Sequence, residues 1–138
     1  MAWLLFAFGS AIFAGNTAVL AKLGIQKVNS TLATARRTIV VLAFSWLMVF
    51  LVGSQGQIGQ ISRKALFFLI LSGLSTGASW LCYFRALQAG PASVVVPIDK
   101  LSILVNILFS SLVLKETLSR KAALGLVLIL AGTGAMLL

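Results

Sequence analysis

The sequence predicts an all-α fold, a polytopic bundle of five membrane-spanning helices forming one domain over residues 1–138. Three observations predict it. The chain is 60% hydrophobic and 9% charged, where a soluble domain carries about 25% charge, and its mean hydropathy is +1.10. Apolar runs of about 20 residues recur, the length that a hydrocarbon core of roughly 30 Å requires of a helix. Within those runs apolar residues follow one another without alternation, which excludes the period-two strands of an outer-membrane barrel.

The first span covers about residues 2–21, within "MAWLLFAFGSAIFAGNTAVLAKLG", and ends at Lys22 and Gly24. It lacks the positive leading region of a signal peptide, so it is read as part of the mature chain. The second span, about 31–52, begins at the cap-like Asn29-Ser30-Thr31, whose side chains accept from free N–H groups at a helix start. The polar "GSQGQIGQISRK" reads as a loop. The third span, about 65–89, stops at Gly90 and Pro91. The fourth follows at once, about 92–114, and "KETLSRK" is a loop with Ser119 as the next N-cap. The fifth, about 122–138, sits at the lower length limit for spanning and closes the chain, so no tail domain is expected. No internal repeat is visible.

Small residues predict how the helices meet. Ala7, Ala11, Ala14, Ala18 and Ala21 share one face of the first helix. Gly73 and Gly77 form G-x-x-x-G in the third, and Gly125 and Gly132 lie on one stripe of the fifth. Such faces let backbones approach closely in lipid.

The net charge is +9, from eleven Lys/Arg against Asp99 and Glu116. The basic residues sit at the edges of apolar runs, where snorkelling to lipid headgroups explains them and nucleic acid is not needed. The single Cys82 allows no intrachain disulfide and reads as a small buried hydrophobe. There is no histidine, no metal-ligand cluster, no paired carboxylate and no glycine-rich phosphate loop. The chain is therefore read as a non-enzyme without cofactor or metal.

Leaving out Lys100 inside the fourth span, five crossings divide the other ten cations evenly. One side receives Arg63, Lys64, Lys115, Arg120 and Lys121; the other receives Lys22, Lys27, Arg36, Arg37 and Arg85. Orientation follows an excess of Lys/Arg on one side, and here there is nearly none. Insertion both ways would yield an antiparallel homodimer of ten helices, the inverted-repeat architecture of many secondary transporters, with this chain as one half. A single orientation fixed by insertion order is the alternative.

Several segments carry a family resemblance: "YFRALQAGPAS" at the third junction, "VVPIDKLS" in the fourth span, "LVLKETLS" after it and "LGLVLILAGTGAMLL" at the end. More loosely, "SAIFAGNTAVLAKLGI" and "LATARRTIVVL" belong to the same pattern. The whole chain resembles the EamA repeat of the drug/metabolite transporter superfamily, in its single-repeat five-helix form. The resemblance implies an exporter or permease of small solutes in the inner, cytoplasmic membrane. It implies no substrate.

At 1.5 Å per residue, Asp99, Arg37, Asn16 and Tyr83 all lie about 9–12 Å below the same membrane face. On that ground Arg37 and Asp99 form the expected ion pair. Lys100 points about 100° away from Asp99 and must find another partner, face a cavity or stretch to the surface. Ser102, Asn106 and Ser110 continue a polar stripe from Asp99, and Ser72, Ser75, Thr76 and Ser79 lead to Trp80 and Tyr83. These stripes are read as the lining of a solute cavity, with Pro97 breaking the fourth helix. In an antiparallel pair, two such layers would lie about 8 Å apart across a core of roughly 30 Å. Structural readings compete: an ion-pair clamp without solute contact, and hydroxyls bonded only to backbone. Asp99 is the only carboxylate inside a span, the position from which ion-coupled carriers work; facilitated exchange stands beside it. The expected partners are a small solute, membrane lipid and a second copy. An accessory membrane subunit needing another five-helix half, or a small dual-topology channel, are the alternative functions.

Overall fold

Helix ends in this chain fall where a backbone group finds a partner. The computed structural model describes residues 1–138 and contains no strand. Helix α1 spans Ala2–Gly24, three residues past the expected end, because the Ile25 N–H still reaches the Ala21 carbonyl at 3.0 Å. Helix α2 spans Ser30–Val52. Its N-cap is Asn29, whose Oδ1 accepts from the N–H groups of Thr31 at 2.9 Å and Leu32 at 3.3 Å. Gly53 ends α2 in the left-handed region, at φ 75° and ψ 23°, where a side chain would be strained.

The polar connection that reads as a loop is instead a 3₁₀ helix, Ser54–Gln60. At seven residues it is longer than usual for this winding. Helix α3 spans Arg63–Ala89, two residues ahead of the expected start, because the Ser62 hydroxyl accepts the Ala65 N–H at 3.1 Å.

The fourth span is broken, as Pro97 leads one to expect, but further along the chain. It is two helices, α4 over Ala92–Asp99 and α5 over Ser102–Val113. Pro97 lies inside α4, and the break falls three residues after it, at Lys100–Leu101. The bonding there tightens: the Lys100 N–H is shared between the Val96 and Pro97 carbonyls, at 3.2 and 3.1 Å. Leu101, Ile103 and Leu104 then bond three residues back, to Ile98, Lys100 and Leu101. Proline withholds the donor that the Ser93 carbonyl would take, so the ladder is weakened ahead of this tighter turn. Helix α5 closes through Lys115, a non-glycine residue at φ 55°, which lets the Glu116 N–H reach back to the Ser110 carbonyl at 3.3 Å. Helix α6 spans Arg120–Met136 under Ser119, whose hydroxyl accepts the Ala122 N–H at 3.2 Å.

Four stretches, Ala2–Gly24, Ser30–Val52, Arg63–Ala89 and Ala92–Val113, are long and apolar enough to cross a membrane. Helix α6, with 17 residues, is about 25 Å long, short of a core of roughly 30 Å.

The chain forms two units, Met1–Ala89 and Gly90–Leu138. In the first, α2 packs along α3 and the 3₁₀ helix, and α1 meets α3. Its core is Ala18, Ile25, Ser30, Thr34, Phe84 and Leu87. All six come from the end where α1 finishes, α2 starts and α3 finishes. In the second unit α4 packs against α6, and the buried residue is Thr133, whose hydroxyl donates to the Ile129 carbonyl at 2.9 Å.

The small-residue faces behave differently from their expected role. Ala18 is buried, while Ala7, Ala11 and Ala14 are exposed. A Cβ added at Gly73, Gly77, Gly125 or Gly132 would meet nothing within 4 Å. These positions are open faces of the chain and hold no close backbone approach within it. Cys82 is likewise exposed, because it lies off the α3 face that carries Phe84 and Leu87.

Candidate solute site

The site in the first unit grows from the register of α2 against α3. Residues four apart on a helix share a face, so Trp80 and Phe84 present two rings in succession. Arg37 comes from α2, seven residues past Ser30. Its guanidinium carbon stands 4.4 Å from the centre of the Trp80 ring and 5.3 Å from that of Phe84. Tyr83 meets Phe84 edge-on, with ring centres 6.1 Å apart and planes at 88°. A guanidinium over aromatic faces gains about 0.5–2 kcal/mol, more where water is thinned. Depth alone pairs Arg37 with Asp99; the partners found on it are aromatic.

Arg37 also forms one wall of a cavity of about 300 Å³ with Thr17, Leu20 and Ala21 of α1. Asn16 is exposed beside Thr17. Below this level the three helices are tied together by polar contacts that the sequence does not announce. Lys22 Nζ donates to the Leu87 carbonyl, placing a cation at the negative end of α3, which has no basic residue in its own last turn. Gln88 Nε2 donates to the carbonyls of Ile25 at 3.0 Å and Val28 at 2.8 Å. These bonds hold the α1–α2 turn against the end of α3 and fix the rings that carry Arg37. A glutamine one turn from a glycine-proline stop was the only available signal, and it is a weak one.

The hydroxyl stripe of α3 is partly committed to its own helix. Thr76 donates to the Ser72 carbonyl at 2.9 Å, as Thr34 and Thr38 do to Ser30 and Thr34 in α2, at 2.9 and 2.8 Å. Ser72 and Ser79 are exposed.

In the second unit, Asp99 is the last residue of α4 and Lys100 the first of the break. Lys100 Nζ lies 3.9 Å from Asp99 Oδ2, against the expectation that adjacent residues diverge. The pair is exposed and at the limit of ion-pair distance, so it contributes little. Ser102 and Asn106 are exposed on α5, and Ser110 Oγ reaches Asn106 Oδ1 at 3.5 Å. A second cavity, of about 450 Å³, is lined in part by Asn106, Ser110, Ser111, Glu116 and Thr117.

The EamA-like transporter family matches residues 1–138. A protein described as an uncharacterized transporter in the cobO 3′ region of Sinorhizobium sp. is 45% identical over 130 residues, 94% of this chain and 92% of that protein. An uncharacterized protein of Methanocaldococcus jannaschii is 32% identical over 98 residues, 64% of this chain and 72% of its own length. No solved structure matches. With the match running from the first residue to the last, on a chain of long apolar helices, this protein belongs to the EamA-like transporter family.

Proposed function

We propose that the chain is one half of a small-metabolite exporter or permease of the inner membrane, working by alternating access as an antiparallel homodimer of five-span subunits. Family membership supplies transport; the observation that carries the finer reading is the break beside Asp99. A helix interrupted within a span exposes backbone carbonyls and N–H groups where lipid cannot satisfy them, which is tolerated only against protein or water. Transporters build solute sites on such interrupted helices. The even distribution of cations supports two orientations, and the open glycine faces of α3 and α6 leave room for close approach by a second copy. In this reading α6 crosses by thinning the bilayer locally at its short length.

Two measurements test it. A reporter active on one side only, fused to the C-terminus, gives signal from both sides if the subunit inserts both ways; a single-sided signal overturns the antiparallel dimer. Solute flux in vesicles falls at least about tenfold in Asp99→Asn and Arg37→Gln; undiminished flux in both removes the proposed site. Recovery only with a different five-helix partner after cross-linking selects the accessory-subunit reading, and fluxes far above carrier turnover select the channel.

A further inference from the structure

The first unit is chemically one-sided. Met1–Ala89 holds seven Lys/Arg and no Asp or Glu. Lys22, Lys27, Arg63 and Lys64 lie at or beyond the ends of their helices. Arg37 does not. It is half-buried, well inside α2, with its two-ring support on α3.

Ring contact satisfies the flat faces of a guanidinium and leaves its edge unused. The edge carries five N–H donors in a fixed fork. Arg37 interacts electrostatically with Tyr83 but has no carboxylate partner, and it lines the cavity shared with Thr17, Leu20 and Ala21. A volume of about 300 Å³ is at the lower end of small-molecule sites. Leu20 and Ala21 give it an apolar wall, and the Thr17 hydroxyl gives it one further donor or acceptor.

A guanidinium fork held in place matches the two oxygens of a carboxylate or phosphate, with charge-assisted hydrogen bonds. The ring contacts restrict the side chain before a ligand arrives, which lowers the ordering cost of binding. Cationic solutes meet the opposite conditions: seven like charges in the unit and no carboxylate to receive them.

We propose that Arg37, held over Trp80 and Phe84, receives the carboxylate or phosphate of an anionic solute in the cavity beside Thr17. This rests on the transport reading for its purpose, but it is tested by binding, so a failure of transport and a failure of this site are told apart.

Full-length protein carrying Trp3→Phe and Trp46→Phe leaves Trp80 as the only tryptophan. In nanodiscs of phosphatidylcholine alone, its emission is followed while inorganic phosphate, succinate or tetramethylammonium is added at constant ionic strength with chloride. Phosphate or succinate shifts the emission saturably, and tetramethylammonium does not. Arg37→Gln weakens the anion response about tenfold or more, Arg37→Lys weakens it less, and Arg36→Gln, on an exposed neighbour, leaves it unchanged. Retained thermal unfolding in the Arg37 variants separates lost binding from lost folding. The proposal is overturned by an equal response in Arg37→Gln, by a response to tetramethylammonium alone, or by none to either anion. It is overturned too if emission shifts only when phosphatidylglycerol enters the nanodisc, which assigns the site to a lipid headgroup.

Discussion

The two units are built from the same kind of residue and hold their shape in different ways. Met1–Ala89 has three unbroken α-helices of 23, 23 and 27 residues. They are joined at one end by buried side chains and by bonds between residues sixty or more positions apart. Gly90–Leu138 has helices of 8, 12 and 17 residues and keeps two backbone compromises, Pro97 inside a helix and Lys115 at φ 55°. The first unit also lacks carboxylates, while the second contains both of the chain's. The difference teaches where the chain is rigid and where it is compliant. Well-tied helices hold a side chain still enough to meet a ligand; a segment whose hydrogen bonds are already compromised changes conformation at lower cost. Arg37 sits in the tied region and Lys100 at the compromised one.

The comparison breaks most visibly through Phe84, which is 2% exposed. Phe84→Ala is expected to lower stability by about 3–5 kcal/mol, because it empties the core of the first unit and removes one of the rings under Arg37. Leu112→Ala in α5, where the side chain is 70% exposed, should change stability by less than about 0.5 kcal/mol. Denaturation midpoints in the same detergent decide it, and equal shifts would mean that the first unit is no better tied than the second. Pro97→Ala works in the other direction. Restoring a donor to the Ser93 carbonyl should stabilise the fourth span by up to about 3 kcal/mol. Amide protection across Lys100–Leu104 should rise, and solute flux should slow as the break closes. Unaltered protection would show that the proline does not cause the break. The smallest effect is at the end of α5: Lys115→Gly removes a left-handed strain of about 1 kcal/mol and should raise the unfolding midpoint slightly without changing flux.

Much of the fold is legible residue by residue. Asn29 and Ser119 read as caps and act as caps, because a cap is satisfied by N–H groups two or three positions ahead. Helix type follows from apolar runs that only lipid could surround. The connection at Ser54–Gln60 is less legible, since a polar, glycine-rich segment can be irregular or wound as 3₁₀ with the same composition. The break lies three residues beyond Pro97: the proline identifies which carbonyl loses its donor, but not where the ladder gives way. In the site, Arg37 and Trp80 were each visible as candidates, and Tyr83 with them. Phe84 was not, because a phenylalanine in an apolar run carries no mark of a cation above it.

By itself the sequence determined that this is a helical membrane protein, where most of its helices begin and to which transporter family it belongs. Those properties depend on composition, on neighbours within one turn and on motifs read along the chain. Only the tertiary structure decided that Arg37 faces rings, that Lys22 and Gln88 close the ends of α1 and α3, and that Asp99 stands beside Lys100 at a tightened turn. The first two depend on the rotation of one helix against another, the last on where a weakened ladder tightens, and neither is set by the local pattern of residues.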